Sequence, residues 1–361
     1  MKRKILFFNG AFGSGGAERV MALMSNYFFK NGEQLEIVLY YDRPIFYNVN
    51  KNIKITSILK ENKGKGLLRN LFWLRKYIKE NADIVISFNA SMNMYILLAT
   101  MGLKNKVIVA DRNDPRKIPQ KKIMRLVRNV LYHLADGIVI QNKRNEEYFD
   151  KFIRKKSVVI YNPVELEKYK GKALLTPKKK RIVTIGRTIP VKNQKMLIKV
   201  FANIKKYYSD YTLTIYGEGF LLEKLKQYAN SLGISDSVEF PGAVKNVHEL
   251  ILDAQIFVLC SNFEGMPNAL IEAMVLGLPV ISTKVSGATD MIDNEQNGLL
   301  IDIEDEISLE KSILCFIENK ELREICSQNA VRIADKLKIN SIMKQWLDFI
   351  DFILKKRTNF K

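Results

Sequence analysis

Two glutamates, Glu264 and Glu272, enclose seven residues in a run that begins just after a short apolar segment at residues 256–259. Pro267 suits the first turn of a helix, where its missing N–H costs nothing, so we expect Glu264 in the preceding loop and Glu272 about one turn inside the helix. The free N–H groups at that helix start suit a diphosphate, and the carboxylates can accept hydrogen bonds from sugar and ribose hydroxyls. The pattern favours this site over the alternative of a capped helix with two surface glutamates.

Two cations follow another predicted strand, residues 181–186. Arg187 comes directly after the strand and Lys192 lies five residues further on. A guanidinium fork and an ammonium point charge can stabilise the negative charge that develops on a phosphate leaving a sugar, in place of a metal ion. A strand-end arginine alone is often only solvated surface. Beside the glutamate pair, a role in catalysis is the favoured interpretation.

The first turn of the chain, residues 10–19, is rich in glycine and opens a predicted helix. Its shape suits an anion, since backbone N–H groups at a helix start point outward. Read as a GxGxxG dinucleotide motif, it has Glu18 where the third glycine should stand, so an NAD-binding interpretation is weak. Asp42, after the second predicted strand, keeps that alternative open.

Each of these motifs follows a strand in an alternation of short apolar strands and amphipathic helices, which indicates βα units and a parallel sheet. An Asn-Pro pair at residues 162–163 interrupts this alternation of strands and helices, which resumes at residue 181. We predict two Rossmann-like domains, residues 1–165 and 166–340, with a C-terminal helix at 341–361 that crosses back to the first. Because parallel sheets bind ligands at the carboxyl ends of their strands, two such domains would enclose one cleft.

The composition excludes several classes of protein. No apolar run approaches the ~18 residues that a membrane-spanning helix needs. The three cysteines, Cys260, Cys315 and Cys326, show no CxxC spacing and are expected to be buried free thiols. With only two histidines in the chain, a zinc site is not expected, and neither a metal nor another cofactor is predicted.

The segment at residues 261–274 resembles the Glu-x7-Glu motif of the GT-B fold retaining glycosyltransferases (family 4, group 1), a large family that includes sucrose synthases and bacterial polysaccharide transferases. The resemblance extends over nearly the whole chain. It implies that Glu264 contacts the hydroxyls of the donor sugar and that Glu272 contacts the ribose, and it assigns Arg187 and Lys192 to the donor phosphates. The donor-binding backbone that it implies is formed by Gly186, Gly265, Met266, Pro267 and Asn268.

Three further loops match family positions. The glycine-rich turn resembles the loop that approaches the donor phosphate and the acceptor, which implies Gly15, Gly16 and Glu18 as site residues. The turn after the predicted strand 106–110 implies Asp111 as a catalytic residue and Arg112 as a donor-binding residue, although many relatives carry a histidine near this position. The residues that match loops near the nucleotide base are Gly217, Glu218 and Val244.

The resemblance implies a retaining, metal-independent transferase that moves a hexose or N-acetylhexosamine from a UDP-sugar to a lipid-linked saccharide during synthesis of a surface polysaccharide such as capsule or O-antigen. No carboxylate is obviously placed as a nucleophile, so we expect departure and attack on one face of the sugar, with the donor phosphate as base. The alternatives are an NAD-dependent sugar-nucleotide epimerase or dehydrogenase and a basic nucleic-acid-binding protein.

The formal charge of +20 is concentrated in residues 1–170, which carry 32 Lys and Arg against 15 Asp and Glu. Such a field attracts polyanions: nucleic acid, anionic lipid or a pyrophosphate-bearing substrate. Since the chemical motifs lie in the nearly neutral second half, a nucleic-acid partner is not predicted. We expect a cytoplasmic protein that binds peripherally to the anionic inner face of the membrane.

Two predicted helices, residues 67–79 and 121–134, carry apolar stripes opposite basic residues. We expect each apolar stripe to pack into the core, and each basic face, with Phe72 or Trp73, to rest on lipid headgroups.

Overall fold

The computed structural model describes residues 3–13, 15–63 and 66–355. The chain divides into two compact units, one formed by residues 1–163 with 339–361 and the other by residues 164–338. The division therefore falls two residues before the expected boundary, and the last helix belongs to the first unit.

In the described part of the chain, the first unit contains a parallel sheet of seven strands in the order β3-β2-β1-β4-β5-β6-β7. Its strands are β1 (Lys4–Asn9), β2 (Gln34–Leu39), β3 (Lys54–Ser57), β4 (Ile84–Ser87), β5 (Lys106–Asp111), β6 (Gly137–Ile140) and β7 (Ser157–Val159). The helices between them are α1 (Gly16–Lys30), α2 (Ile58–Glu61), α3 (Leu67–Asn81), α4 (Ala90–Thr100), α5 (Lys122–Tyr132), α6 (Lys143–Glu146) and α7 (Lys151–Arg154). The central strands are continuous apolar runs because helices cover both faces of the sheet.

The second unit repeats this plan. Its six described strands are parallel and lie in the order β10-β9-β8-β11-β12-β13. They are β8 (Lys179–Ile185), β9 (Thr212–Tyr216), β10 (Val238–Gly242), β11 (Ala254–Leu259), β12 (Val280–Thr283) and β13 (Leu299–Ile301). The helices are α8 (Gln194–Lys205), α9 (Leu222–Ser231), α10 (Val247–Leu250), α11 (Asn268–Leu276), α12 (Glu306–Glu318), α13 (Lys320–Ala330) and α14 (Ile333–Lys336).

The last helix, α15 (Ile339–Lys355), packs in the core of the first unit. Trp346 is 1% exposed there, and its ring lies 6.4 Å from that of Phe88. Gly137 in β6 makes room for the helix, since a Cβ at this position would lie 2.7 Å from the Phe349 ring. The predicted helix at 341–361 is thus present over its first part, and residues 356–361 lie outside the described residues.

Helix α5 contradicts the sequence-based expectation. Its apolar stripe was expected in the core, yet Ile123 and Val130 are each 62% exposed. Arg128, one of the basic residues expected opposite that stripe, is completely buried instead. Its guanidinium nitrogens donate to the carbonyl oxygens of Ile118 at 2.6 Å and Pro115 at 3.0 Å, which offsets the cost of burying the charge.

Helix α3 follows the expectation only in its second half. Leu74 and Ile78 are buried, whereas Leu67 is 64% exposed. Over the described residues, none of the helices combines the length and apolarity that crossing a bilayer requires.

Candidate active site

Glu264 and Lys192 lie together at the carboxyl ends of β8 and β11 in the second unit. The Lys192 ammonium forms an ion pair with Glu264, and Ser261 Oγ donates to Glu264 Oε1 at 2.7 Å. The Glu264 and Lys192 side chains are 14% and 20% exposed. A charge-assisted pair at this depth holds both groups in a defined orientation, more firmly than a surface pair would.

Glu272 lies in the second turn of α11, as the position of Pro267 predicted. Pro267 is the N-cap residue, the helix begins at Asn268, and Ile271 N donates to Pro267 O at 3.1 Å. Glu272 is 7% exposed, and one of its carboxylate oxygens lies 2.9 Å from Nε2 of His248 on α10. The predicted backbone contacts Gly265 and Met266 are buried in the loop that precedes the helix.

Glycines bring the neighbouring loops into close contact. A Cβ on Gly217, whose φ is +130°, would collide with the carbonyl oxygen of Gly186, so only glycine fits between the ends of β8 and β9. Glu218 approaches the next loop, where the Ala243 N–H lies 3.4 Å from its carboxylate. The loops that follow three adjacent parallel strands therefore meet at one edge of the sheet.

The remaining predicted residues of this unit are more open. The Arg187 side chain is exposed, while its carbonyl oxygen accepts from Gln194 Nε2 at 3.0 Å. Val244 is half-buried in the loop after β10. Lys192 is thus the cation that the fold holds in place, and Arg187 has room to move onto a ligand.

Gly287, in the loop after β12, was not identified from the sequence. A Cβ here would lie 2.6 Å from Pro267 Cδ and 2.7 Å from the Gly265 carbonyl oxygen. Both atoms belong to the loop between the two glutamates. Gly287 therefore allows that loop to lie close to the end of β12.

We expect Gly287→Ala to weaken the binding of UDP by about tenfold, because a shift of a few tenths of an ångström in loop 265–267 would misplace the start of α11. Isothermal titration with UDP measures this. Ser235→Ala is the control, since Ser235 is exposed on the same unit just before β10, at the opposite end of that strand from the site loops. Wild-type affinity in Gly287→Ala would show that the loop's position does not matter for binding.

The first unit brings four of the other predicted residues near one another. Helix α1 begins at Gly16 with Gly15 as its N-cap, and the Glu18 carboxylate folds back over Gly15. The charge of Glu18 also acts on the Arg112 guanidinium. The glycine-rich turn and the turn after β5 are therefore neighbours at the carboxyl edge of this sheet.

Arg112 is held by aromatic rings and one amide. Its guanidinium carbon lies 5.3 Å from the centre of the Phe88 ring and 6.0 Å from that of Trp346, and Nη1 donates to Asn162 Oδ1 at 2.7 Å. Burial lowers the pKa of Arg112 to about 10, against the opposing effect of Glu18. The guanidinium is still protonated at neutral pH and can attract an anion.

Asp111 lies inside the first unit, at 1% exposure. It accepts from the Tyr132 hydroxyl at 3.1 Å, and Arg128 lies 3.9 Å away. Burial raises the pKa of the Asp111 carboxyl, and the nearby Arg128 charge opposes this shift. A carboxylate so enclosed does not suit direct contact with a substrate, so we interpret Asp111 as holding the turn after β5 against α5, in place of the catalytic role expected.

Within residues 3–13, 15–63 and 66–355 there is no group of three or more His, Cys, Asp or Glu side chains arranged to hold a metal ion. Cys260 and Cys326 are buried free thiols as expected, whereas Cys315 is only partly buried.

Comparison with solved structures identifies the fold. The structure of Anabaena HepE in complex with UDP and glucose superposes with a TM-score of 0.82 at 17% identity, covering 97% of this chain and 99% of that one. Sucrose-phosphate synthase from Thermosynechococcus elongatus gives a TM-score of 0.81 at 16% identity, covering 98% of this chain and 100% of that one. Two parallel α/β units with these likenesses define the GT-B fold that the sequence predicted.

Sequence comparisons identify the family. The model for glycosyl transferases group 1 matches residues 165–332, and the model for glycosyltransferase family 4 matches residues 14–168. A Campylobacter jejuni alpha-1,4-N-acetyl-D-galactosaminyltransferase, whose named acceptor is GalNAc-alpha-(1->4)-GalNAc-alpha-(1->3)-diNAcBac-PP-undecaprenol, is 30% identical over 96% of this chain and 98% of its own length. A second Campylobacter jejuni transferase is named for adding N-acetylgalactosamine to a diphospho-undecaprenol saccharide. It is 28% identical over 93% of this chain and 97% of its own length.

The chain therefore belongs to the group 1 GT-B glycosyltransferases, of bacterial polysaccharide type. Family membership favours glycosyl transfer over the NAD-dependent and nucleic-acid-binding alternatives.

Proposed function

We propose that the protein transfers a hexose or N-acetylhexosamine from a UDP-sugar to a lipid-linked saccharide, with retention at the anomeric carbon and without a metal ion. The observation that carries the proposal is the arrangement in the second unit: the Glu264–Lys192 pair lies beside the start of α11, with Glu272 in the second turn of that helix. The family resemblance assigns these residues of the second unit to donor binding, which supports the proposal.

The donor would be bound by complementary charges. The start of α11 presents N–H groups and a positive dipole to the diphosphate, and Lys192 and Arg187 supply full positive charges. Glu272 would accept hydrogen bonds from the ribose, and Glu264 from the sugar. Because Lys192 is already paired with Glu264, its ammonium is held in place before the donor arrives and need not be reorganised during transfer.

The chemical step would rest on electrostatic stabilisation. As the bond from the sugar to the phosphate breaks, negative charge grows on the leaving phosphate, and Lys192 and Arg187 would stabilise it. The acceptor hydroxyl would attack from the same face and lose its proton to that phosphate. Retention follows from departure and attack on one face.

The acceptor is inferred from the relatives. Two C. jejuni proteins that match nearly the whole chain are named for acceptors linked through diphosphate to undecaprenol. An acceptor of this chemistry is anionic and anchored in a membrane. The concentration of positive charge in residues 1–170 suits such a substrate and supports residues 1–165 as the acceptor-binding part.

A panel of nucleotide sugars tests the donor. We expect UDP and one or more UDP-sugars to raise the melting temperature of the full chain in EDTA, while NAD and GDP-mannose do not. Stabilisation by NAD alone would contradict the proposal.

Helix α5 supplies the surface for peripheral binding at the inner face of the membrane. Its outward side presents Ile123, Met124, Leu126, Val127 and Val130, each 37% exposed or more. Helices α3 and α4 share a core cluster with α5 and expose further large apolar side chains, namely Leu67, Leu68, Phe72 and Leu98. Since α3 packs on α4 and α4 packs on α5, this concentration of exposed apolar side chains on neighbouring helices suits a docking site.

The charges around this surface favour an anionic lipid partner. Lys121 and Lys122 are exposed at the start of α5, and Lys76 and Lys79 are exposed on α3. Basic residues beside an anionic surface each contribute about 1 kcal/mol, and the apolar side chains add the burial of their surface in the headgroup region. The apolar side of α5 was expected in the core, so the proposed docking mode adds shallow insertion of its exposed side chains to the expected contact of the basic faces and Phe72 or Trp73 with lipid headgroups.

We expect the double variant Ile123→Ser/Val130→Ser to bind vesicles of phosphatidylcholine with 30% phosphatidylglycerol at least tenfold more weakly than wild type, because it removes apolar surface that would be buried in the headgroup region. Cosedimentation of the full chain measures this. Phe220→Ser/Ile307→Ser is the matched control, since both side chains are exposed on the second unit, at 74% and 68%.

Undiminished pelleting of the α5 variant would exclude this surface as the lipid contact. A change in oligomeric state on size exclusion, with unchanged vesicle binding, would instead identify the surface as an interface between copies of the chain.

A further inference from the structure

His248 is the partner of the ribose-binding candidate Glu272. Its Nε2 lies 2.9 Å from Oε2 of Glu272, and the two side chains are 16% and 9% exposed. In the sequence, His248 is one of two isolated histidines and belongs to none of the motifs. Only the fold, by packing α10 against α11, brings it to the carboxylate.

The His248 ring also packs against Tyr169. The ring of Tyr169 lies 5.7 Å from the His248 ring, and its hydroxyl donates to Glu249 Oε1 at 2.7 Å. Tyr169 therefore contacts two successive residues of α10. This packing restricts the imidazole, so its bond to Glu272 has a defined direction.

Helix α10 also connects two parts of the candidate donor site. It begins three residues after Val244, in the loop that matches the family's nucleotide-base position. From there, His248 reaches the carboxylate that the resemblance assigns to the ribose. The base loop and the ribose carboxylate are thus coupled through a single short helix.

We propose that His248 is a positioning residue that holds the Glu272 carboxylate in the orientation required to accept hydrogen bonds from the ribose hydroxyls. This rests on the proposed function, in which Glu272 binds the ribose. A glutamate on a helix has three side-chain torsions, and ordering it during binding would reduce affinity. An N–H donor fixed at Oε2 removes much of that cost beforehand, and a carboxylate bonded in this way keeps acceptor capacity for a ligand.

The test compares UDP with 2′,3′-dideoxy-UDP, which lacks the ribose hydroxyls, by isothermal titration with the full chain. His248→Phe removes the donor and keeps a ring against Tyr169, and His248→Gln keeps an N–H donor. We expect His248→Phe to bind UDP about tenfold more weakly than wild type. Its affinity for 2′,3′-dideoxy-UDP should stay close to that of wild type. His248→Gln should recover part of the UDP affinity. In a Glu272→Ala background, His248→Phe should change UDP affinity by less than twofold.

A purely structural role would weaken both nucleotides equally, or would act undiminished in the Glu272→Ala background, and either result would overturn the inference. Wild-type UDP affinity in His248→Phe would also overturn it. The proposed function fails separately: in that case wild type would not bind UDP, or would not distinguish the two nucleotides. His133→Phe, at an exposed histidine of the first unit, is the matched control and should leave both affinities unchanged.

Discussion

Lys192→Met is expected to lower kcat by about two to three orders of magnitude, the loss seen when one preorganised group that stabilises developing negative charge is removed. Lys192 is largely buried, paired with Glu264, and packed along Gly186, where a Cβ would lie 3.4 Å from its side chain. Methionine keeps most of that packing and removes the charge. Since charge on the phosphate grows during transfer, the affinity for UDP-sugar should fall much less than kcat.

The matched control for this substitution is Lys195→Met. Lys195 is an exposed lysine three residues further along the chain, over the ring of Tyr228. Its replacement should leave kcat within about twofold of wild type, as surface changes usually do. If Lys192→Met also retained near-normal kcat, the electrostatic role of Lys192 would be wrong.

Glu272→Ala should weaken UDP binding by about 10- to 100-fold, the cost of losing hydrogen bonds to a charged group. At saturating donor its kcat should stay near that of wild type, because a ribose contact contributes equally to the ground state and the transition state. Glu264→Ala should show the opposite pattern, with a lower kcat and a smaller change in affinity, since its contact to the sugar tightens during transfer.

Titration with UDP and steady-state kinetics on the same preparations separate the two roles. Glu321→Ala, at an exposed glutamate on α13, is the control for removing a carboxylate from the second unit. Equal UDP affinity in wild type and Glu272→Ala would exclude the ribose assignment. Melting curves of each variant check that the buried substitution leaves the chain folded.

Much of the architecture could be predicted because the central strands are buried on both faces and read as apolar runs. Residues 84–87, for example, are entirely buried, and such segments stand out in any sequence. The strands β3 and β13 were not predicted. Each lies at the edge of its sheet and is only partly buried, so neither stands out as a buried apolar run. Their positions are set by pairing with the adjacent strands, β2 and β12.

Helix α5 was misread for a different reason. Periodicity identifies an apolar stripe, but it does not say which side of the helix faces the core. Here the inward side is decided by Arg128, whose burial is compensated by carbonyl oxygens of residues 115 and 118 and by the aromatic rings of Tyr132, Tyr148 and Phe149. Apart from Tyr132, which ends α5 itself, those partners come from other segments, so the sequence of the helix alone could not indicate them.

The residues of the candidate site also fall into two groups, those that the sequence could predict and those that it could not. Residues in strand-end motifs, such as Lys192 and Glu264, could be selected because parallel sheets place their strand ends at one edge. His248 and Gly287 act through contacts with distant segments and show no local pattern, so they required the fold. Ser261 is the first residue of the 261–274 segment and could have been found by asking what bonds to Glu264, three residues further on.

The most direct test of the central claim is a transfer assay with purified full-length protein, undecaprenyl-diphosphate-linked saccharides and a panel of radiolabelled UDP-sugars, in buffer with EDTA. We predict that label from at least one UDP-sugar enters the lipid fraction, that Lys192→Met reduces the rate by about 10²- to 10³-fold, and that the new linkage has the anomeric configuration of the donor by NMR. Either of two results would contradict the account. One is that no UDP-sugar supports transfer in EDTA and manganese restores it; the other is a product of inverted configuration.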